Sequence, residues 1–489
     1  MEELSTRTIA GRAVSGIAAL VSRQFVINLI SLSASLIIYS ILPKEDIGIY
    51  TVVIAMQRVI SFFTDFGLGA ALIQKKEELT DSDISTTFTL QSILTFTIFI
   101  IVLLLLPLLI NFFKLNASGA NLLLVLVFSI FLSSFKIIPS ILLERRIQFS
   151  KLVIPQIAEV LVFNVLLIIL VLKNFGIDSY TWAFLVSSLI GIPIYYYLNP
   201  WKIRLNITRT SLRHLKFGAQ FQAKNILATI KDDLLTVILA KILPFGEIAY
   251  IGFAQRLAFY TYRYTVDSVT KVSFSALSRL QHDKDHLRLA IEKSLFFISF
   301  IMFPTLFTLM FVANPLIQYF PKWQGKWELA IPSLIFFLLN ALVSSFSGIL
   351  INVLDATGRV KTTLKMMILW TAMTWILTPL LIYFFGFNGV AMASFINIIP
   401  IIFITMRIVK KIVDFSFFKI IFKPALATGI LSVYLIFTVN KIFIGSLLSL
   451  IIVIIIGALI YLALMYVLAK KEVENDIRIL FNKKRKQQI

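Results

Sequence analysis

The sequence predicts an all-α polytopic membrane protein with about fourteen transmembrane helices. Hydrophobic residues make up 58% of the 489 residues and charged residues 15%, with a mean hydropathy of +0.90. Soluble domains contain about 45–50% apolar and about 25% charged residues. Apolar runs of membrane-spanning length follow one another along the whole chain. The chain contains no cysteine, which excludes disulfides and zinc-thiolate sites.

Fourteen apolar segments occur in order, and each reaches the length of about 20 residues that a membrane-spanning helix needs. The connections between them are short, so none has room for a soluble domain. The predicted spans are residues 14–42, 46–72, 84–112, 120–143, 151–173, 178–199, 214–243, 247–278, 287–312, 328–354, 362–385, 388–409, 421–440 and 443–469.

The positive charge of the chain indicates its orientation. Most of the 46 Lys and Arg residues lie in alternate connections and in the basic C-terminal tail. Because short cytoplasmic loops are enriched in these residues, we expect a multi-pass protein of the bacterial cytoplasmic (inner) membrane with both termini in the cytoplasm. The formal net charge of +21 then favours contact with anionic lipid headgroups and not with nucleic acid.

The sequence contains an internal repeat. Residues 41–48 (ILPKEDIG) recur as residues 242–249 (ILPFGEIA), an offset of 201. This offset equals six spans, which predicts two six-helix lobes in a pseudo-twofold arrangement, with two extra C-terminal helices. The predicted parts are 1–200 (N-lobe, helices 1–6), 201–412 (C-lobe, helices 7–12), 413–470 (helices 13 and 14) and 471–489 (a basic cytoplasmic tail).

Spans 1, 2, 7 and 8 carry ionisable residues well inside the membrane. Helical spacing places Lys224 and Lys231 on one stripe of span 7, whereas Arg256, Arg263 and Asp267 follow one face of span 8. A charge at mid-depth costs about 2.5–3.5 kcal/mol on insertion scales, so such side chains normally face a wet or protein-lined interior. Cations outnumber carboxylates within the spans, which predicts a cationic cavity with an anionic occupant.

The candidate substrate-binding residues are the cations of this predicted cavity. Arginine binds phosphate in a bidentate manner and lysine as a point charge, so a mixed set suits a diphosphate or an acidic sugar. Two alternatives to substrate binding stay open. The charged side chains can pair with one another between helices, or those near the span ends can reach the lipid headgroups. The candidate cations are Arg23, Arg58, Lys224, Lys231, Arg256 and Arg263, and the candidates for charge balance are Asp65, Asp232, Asp233 and Asp267.

Catalysis finds little support in the sequence. The chain has no P-loop and no large external loop that could hold the active site of a glycan polymerase or ligase. His282 and His286 have a spacing that metal ligands use, but they lie on a charged segment typical of a solvated helix face. We therefore expect no metal site, no cofactor and no enzymatic activity.

Three segments resemble a known family. Residues 42–50 (LPKEDIGIY) and 65–74 (DFGLGAALIQ) are similar to the N-terminal signature of the polysaccharide transporter family. These are the Wzx-type lipid-linked oligosaccharide flippases of the multidrug/oligosaccharidyl-lipid/polysaccharide exporter superfamily. Residues 142–149 (LLERRIQF) also resemble this family. The resemblance extends from span 1 to span 12 and does not identify the glycan.

The resemblance implies a central cationic cavity between two lobes, open alternately to either side, with an undecaprenyl-diphosphate-linked oligosaccharide as cargo. It implies that Arg23, Arg58, Arg256 and Arg263 bind the diphosphate and that helices 13 and 14 form a groove for the lipid tail. Membrane lipids and other polysaccharide assembly proteins are the partners it implies. Coupling to H+ or Na+ is usual in the superfamily, and the four aspartates are candidates on their chemistry alone.

The leading hypothesis is a flippase or exporter of a repeat unit of O-antigen, capsule or exopolysaccharide. A lipid II flippase and a cation-coupled multidrug efflux transporter are alternatives with the same fold. The efflux transporter predicts an acidic cavity, whereas the predicted cavity is net basic. A membrane glycan polymerase or glycosyltransferase is the alternative of a different class.

Overall fold

The computed structural model confirms an all-α membrane protein. It describes residues 6–64, 72–73, 77–146, 148–208, 229–441 and 445–469. In these ranges fourteen α-helices have described bounds, and no β-strand occurs. Contacts divide the chain into two compact units, unit 1 (Met1–Ala249) and unit 2 (Tyr250–Ile489).

Unit 1 contains the first seven helices and the start of the eighth. A π-helical turn, Ile230–Leu234, directly precedes α7. The helices are α1 (Thr6–Ile41), α2 (Lys44–Phe62), α3 (Asp81–Phe113), α4 (Ala117–Arg145), α5 (Phe149–Leu172), α6 (Asp178–Leu198) and α7 (Leu235–Ile242).

Unit 2 contains the remaining helices, of which α8 begins at Phe245 in unit 1. A short 3-10 turn, Glu328–Ala330, precedes α10. The helices are α8 (Phe245–Arg279), α9 (Lys284–Tyr319), α10 (Ile331–Ala356), α11 (Val360–Phe385), α12 (Asn388–Lys410), α13 (Phe417–Lys441) and α14 (Leu447–Leu468).

Local sequence explains several helix boundaries. Thr80 and Asp83 form a capping box at the start of α3: the Thr80 hydroxyl accepts from the Asp83 N–H, and the Asp83 carboxylate accepts from the Thr80 N–H at 3.0 Å. The Asn116 side chain caps α4 by accepting from the Gly119 N–H at 2.8 Å. Pro43 stands between α1 and α2, where its ring cannot continue a helix.

Within the described ranges ten helices, α3–α6 and α9–α14, are long and apolar enough to cross a membrane, so the chain is a multi-pass membrane protein. By the same criteria α2 and α8 are long enough, at 19 and 35 residues, but too polar. Their polarity comes in part from Arg58 on α2 and from Arg256, Arg263 and Asp267 on α8. These are two of the four helices that the sequence singles out as charged.

Unit 1 is built around α4, α5 and α6. Helix α5 packs against α1 and α6, and α4 packs against α2, α3 and α6. The buried core includes Val52, Leu122 and Leu123, each 0% exposed. Tyr50 of α2 stacks on Tyr180 of α6, with ring centroids 3.9 Å apart. These contacts hold α1 against α5, and α2 against α4 and α6.

Contacts assign residues 229–249 to unit 1, because the π turn and α7 pack along α2. The internal repeat assigns the same residues to the C-lobe. The units are defined by contacts between residues, whereas the lobes are defined by the internal repeat. The lobe boundaries at 200 and 412 therefore stay a prediction. The predicted basic tail, 471–489, lies outside the described residues.

An extended segment, residues 200–208, follows α6 and lies along the N-terminal half of α3; we call it the strap. The Thr89 hydroxyl accepts from the Asn206 N–H at 3.0 Å, and the Thr86 hydroxyl accepts from the Thr208 N–H at 3.2 Å. Thr86 and Thr89 are 0% and 6% exposed. The strap therefore gives this polar half of α3 hydrogen-bond partners.

Unit 2 is organised around α10, which packs against α9, α11 and α12. Helices α13 and α14 pack on α9, and the Tyr461 hydroxyl of α14 donates to the Phe300 carbonyl of α9 at 2.8 Å. Trp323 and Trp327, in the segment between α9 and α10, are fully buried, and Trp327 stacks on Phe253 with centroids 4.3 Å apart. The outer faces of α13 and α14 carry many exposed apolar side chains, as expected for lipid contact.

Candidate functional site

In unit 1 the predicted site residues Arg58 and Asp233 form an ion pair. Arg58 Nη1 of α2 lies 3.2 Å from Asp233 Oδ1 of the π turn. The Arg58 side chain is 57% exposed and that of Asp233 is 19% exposed. The pair is thus accessible from one side, where an anion could compete with Asp233 for the guanidinium.

The π turn presents Lys231, Asp232 and Asp233 in different directions. Such turns widen the helix locally and are frequent at functional sites. Lys231 Nζ binds the Asp232 carboxylate, and the Lys231 side chain is 12% exposed whereas that of Asp232 is 59% exposed. Two consecutive carboxylates therefore balance two different cations, one on the turn itself and one on α2.

Arg23 of α1 has neutral partners. Its Nη1 donates to the side-chain oxygen of Gln156 on α5, and its Nη2 donates to the side-chain oxygen of Gln24 at 3.3 Å. Its Nε is buried and has no hydrogen-bond partner within the part of the chain that the structure describes. Neutral amides satisfy N–H groups but leave the positive charge of the guanidinium unbalanced.

Lys136 of α4 is bound to Glu159 of α5. The Lys136 Nζ lies 2.9 Å from Glu159 Oε1, and the two side chains are 14% and 26% exposed. The Glu159 carboxylate occupies the space beside Gly191 of α6, where a Cβ atom would overlap it. Lys136 is therefore paired between helices, which is one of the alternatives that the sequence leaves open for charges within the spans.

The described charges of unit 1 that the sequence places in predicted spans do not cancel. Carboxylates neutralise Arg58, Lys136 and Lys231. Arg23 remains, with hydrogen bonds to amides alone among the residues that the structure describes. Because an unbalanced charge in the membrane is costly, Arg23 is the described cation of unit 1 that an anionic ligand would stabilise most.

In unit 2 the predicted site residues lie on α8. Arg256 is half-buried, and Arg263 and Asp267 are exposed. Tyr260 and Tyr264, one turn apart on the same helix, stack with ring centroids 6.0 Å apart. Helix α8 thus carries a surface that combines charged and aromatic side chains.

Two predicted site residues, Lys224 and Asp65, lie outside the described residues. The sequence did not identify Gln156, Glu159 and Gly191 as part of the site. Gln156 and Glu159 are one turn apart in a mainly apolar span, and this spacing is a signal that could have found them. Nothing in the sequence marks Gly191, because glycine is common in membrane helices.

Sequence comparison shows what the chain resembles. Residues 37–328 match the model of the family described as polysaccharide biosynthesis protein. The lipopolysaccharide biosynthesis protein WzxC of Escherichia coli (strain K12) is 24% identical over 379 residues, which cover 74% of this chain and 72% of WzxC. An uncharacterised membrane protein in the cps region of Klebsiella pneumoniae is 25% identical over 317 residues, 61% of each chain.

Solved structures share the fold. The lipid II flippase MurJ in its inward closed conformation has a TM-score of 0.74 at 20% identity, covering 93% of this chain and 99% of MurJ. A multidrug resistance MATE family transporter of the MOP superfamily, in its inward-facing conformation, has a TM-score of 0.60 at 13% identity, covering 81% and 98%. The resemblance to Wzx-type transporters stated from the sequence is confirmed. The family model covers more than half of the 489 residues, and this chain belongs to the polysaccharide biosynthesis protein family.

Proposed function

We propose that this protein is a flippase that moves an undecaprenyl-diphosphate-linked oligosaccharide from the cytoplasmic to the outer leaflet of the bacterial cytoplasmic membrane. The observation that carries the proposal is Arg23, a guanidinium in predicted span 1 with neutral partners among the described residues. A diphosphate supplies the missing negative charge and suits the bidentate geometry of arginine. The match to WzxC supports a glycan as the cargo.

In this mechanism no covalent bond is made or broken. The diphosphate binds Arg23 and competes with Asp233 for the exposed guanidinium of Arg58, 3.2 Å away. The sugars occupy the polar space beside the charged helices, and the lipid chain stays in the bilayer along α13 and α14. In unit 2 the candidate anion-binding residues are Arg256 and Arg263 on α8.

Cargo binding also gives the aspartates a role. When the diphosphate binds Arg58, Asp233 loses its ion-pair partner. A proton or a sodium ion can then neutralise the Asp233 carboxylate. Asp65, Asp232 and Asp267 remain further candidates for this coupling. Both termini are cytoplasmic in this proposal, as the distribution of Lys and Arg predicts.

Charge reversal tests the role of the arginines. Arg58→Glu and Arg256→Glu, each introduced into a strain that lacks its chromosomal copy of this gene, should abolish cell-surface polysaccharide, because a carboxylate at either position repels the diphosphate. Lys322→Glu, a reversal in the segment between α9 and α10, is the matched control and should retain export. Surface polysaccharide is measured by immunoblot, and membrane levels of each variant by an epitope tag. Normal polysaccharide in both arginine variants would refute the proposed site.

The alternatives give different outcomes in simple assays. A lipid II flippase would restore growth to a strain depleted of its own lipid II flippase. A multidrug transporter would raise tolerance to cationic dyes. A glycosyltransferase or polymerase would elongate glycan when purified in detergent, with no membrane present.

A further inference from the structure

The Lys136–Glu159 pair lies close to Arg23 but is separate from it. Glu159 and Gln156 are three residues apart on α5 and therefore lie on one helix face. Gln156 binds Arg23 of α1, and Glu159 binds Lys136 of α4. One face of α5 thus holds a neutral acceptor for the arginine and, one turn away, a carboxylate for the lysine.

Tyr195 shows that the two sites share one environment. This buried tyrosine of α6, one turn after Gly191, interacts electrostatically with both Glu159 and Arg23 and hydrogen-bonds with Gln156. Arg23, held by Gln156, therefore lies about one helical turn from the Glu159 carboxylate, and opposite charges at that separation attract each other in a membrane interior. Yet Arg23 binds the amide and not the carboxylate.

Two contacts hold Glu159 away from Arg23. Lys136 Nζ lies 2.9 Å from its Oε1, and the absence of a side chain at Gly191 leaves the space that the carboxylate occupies. If Lys136 were neutral, Arg23 would be the cation within reach of Glu159 among the described residues of α1, α4 and α6. Glu159 would then compete with any anion for Arg23.

We propose that Lys136 sequesters Glu159 so that Arg23 keeps its positive charge available for the anionic group of the cargo. Lys136 is therefore a positioning residue that acts through Glu159 and does not touch the cargo. The inference rests on the proposed function, because it needs an anion that binds Arg23. It adds a residue that sets the specificity of the site for anions.

Binding of farnesyl diphosphate to purified protein in detergent tests the inference. Lys136→Met should weaken binding by about tenfold or more, because the Glu159 carboxylate then pairs with the Arg23 guanidinium. Tenfold corresponds to about 1.4 kcal/mol. Lys136→Met combined with Glu159→Gln should restore the affinity to within about twofold of the parent protein, since the competing charge is gone. Lys136→Arg, which keeps the charge, should bind as the parent does. Arg23→Gln gives the affinity that remains without the guanidinium.

The pH dependence separates sequestration from a purely structural role. The groups that face Glu159 are Lys136 from α4 and Tyr195 from α6, and Arg23 of α1 lies one turn away along the same face of α5. In Lys136→Met, protonation of Glu159 removes its charge and releases Arg23, so binding relative to the parent protein at the same pH should recover as the pH falls. The double variant should show no such recovery. A loss of packing would not be reversed by acid.

Each outcome bears on the inference. Thermal unfolding and gel filtration first show that each variant is folded. A parent protein that does not bind farnesyl diphosphate, a Lys136→Met variant that binds as the parent does, or a folded double variant as weak as Lys136→Met would overturn it. The proposed function fails separately if the parent protein binds as expected but does not restore cell-surface polysaccharide.

Discussion

Arg23, Arg58 and Lys231 differ in the chemistry of their partners, and that difference decides what each can do. Lys231 is buried against Asp232, so its charge is neutralised within one turn. Arg58 is exposed and pairs with Asp233, and an incoming anion can displace this carboxylate from the guanidinium. Arg23 binds amide oxygens, which accept hydrogen bonds without cancelling charge. We infer that Arg23 binds the anion first and that Arg58 exchanges its partner afterwards.

Gly48 of α2 permits a close approach of two chain segments and gives a prediction at the scale of one residue. A Cβ at position 48 would overlap the carbonyl of Phe245, which begins α8. Gly48→Ala should therefore destabilise the protein by about 1–3 kcal/mol, the usual range for overpacking. Thermal unfolding in detergent measures the loss.

Gly429→Ala on α13 is the matched control for this substitution. No atom lies within 4 Å of its added Cβ. Alanine is also the better helix former, by about 0.5–1 kcal/mol, so this variant should unfold at the same or a higher temperature. Equal midpoint temperatures of unfolding for the two variants would mean that the Phe245 carbonyl does not pack tightly against Gly48.

At the scale of elements, the strap joins the end of α6 to the chain that leads to α7. Its N–H groups are held by the hydroxyls of Thr86 and Thr89, and each such hydrogen bond contributes about 0.5–1.5 kcal/mol. Arg204 of the strap also pairs with Asp81 at the start of α3, at 2.8 Å. Both groups of this pair are well exposed, so it adds little to the hydroxyl bonds.

Removing the two hydroxyls should release the strap. In Thr86→Val combined with Thr89→Val, trypsin should cut after Lys202 and Arg204 several times faster than in the parent protein, because cleavage needs the segment to leave α3. Mass spectrometry of the fragment ends identifies these sites. Thr95→Val, which loses a bond to its own helix, is the control and should leave the rate unchanged. Equal cleavage in all three proteins would show that the hydroxyl bonds do not hold the strap.

The sequence predicted the helices well because the length of an apolar run is a local property. Predicted spans 178–199 and 388–409 correspond to α6 (Asp178–Leu198) and α12 (Asn388–Lys410). The π turn was not predicted, since its extra residue depends on packing against α2. Charge positions were predicted, but partners were not: Lys136 and Glu159 lie on different helices, and hydropathy carries no information on which side chains meet.

At the scale of the whole molecule, the chain is a multi-pass membrane protein of a polysaccharide biosynthesis family. Its fold is shared with MurJ and with multidrug transporters, so the fold does not select the cargo. In the proposed function the charged residues make that selection. Helices rich in lipid-facing apolar residues carry the scaffold, and the polar helices α1, α2 and α8 carry the candidate binding groups.

The central claim is that this chain moves a lipid-linked glycan across a bilayer, and reconstitution tests it most directly. Purified protein is placed in vesicles that contain a fluorescent undecaprenyl-diphosphate-linked oligosaccharide, and dithionite added outside quenches the label in the outer leaflet. We predict that the parent protein exposes the inner-leaflet label to dithionite, whereas Arg23→Gln does not. A quenched fraction equal to that of protein-free vesicles, under an imposed H+ or Na+ gradient of either direction, would contradict the account.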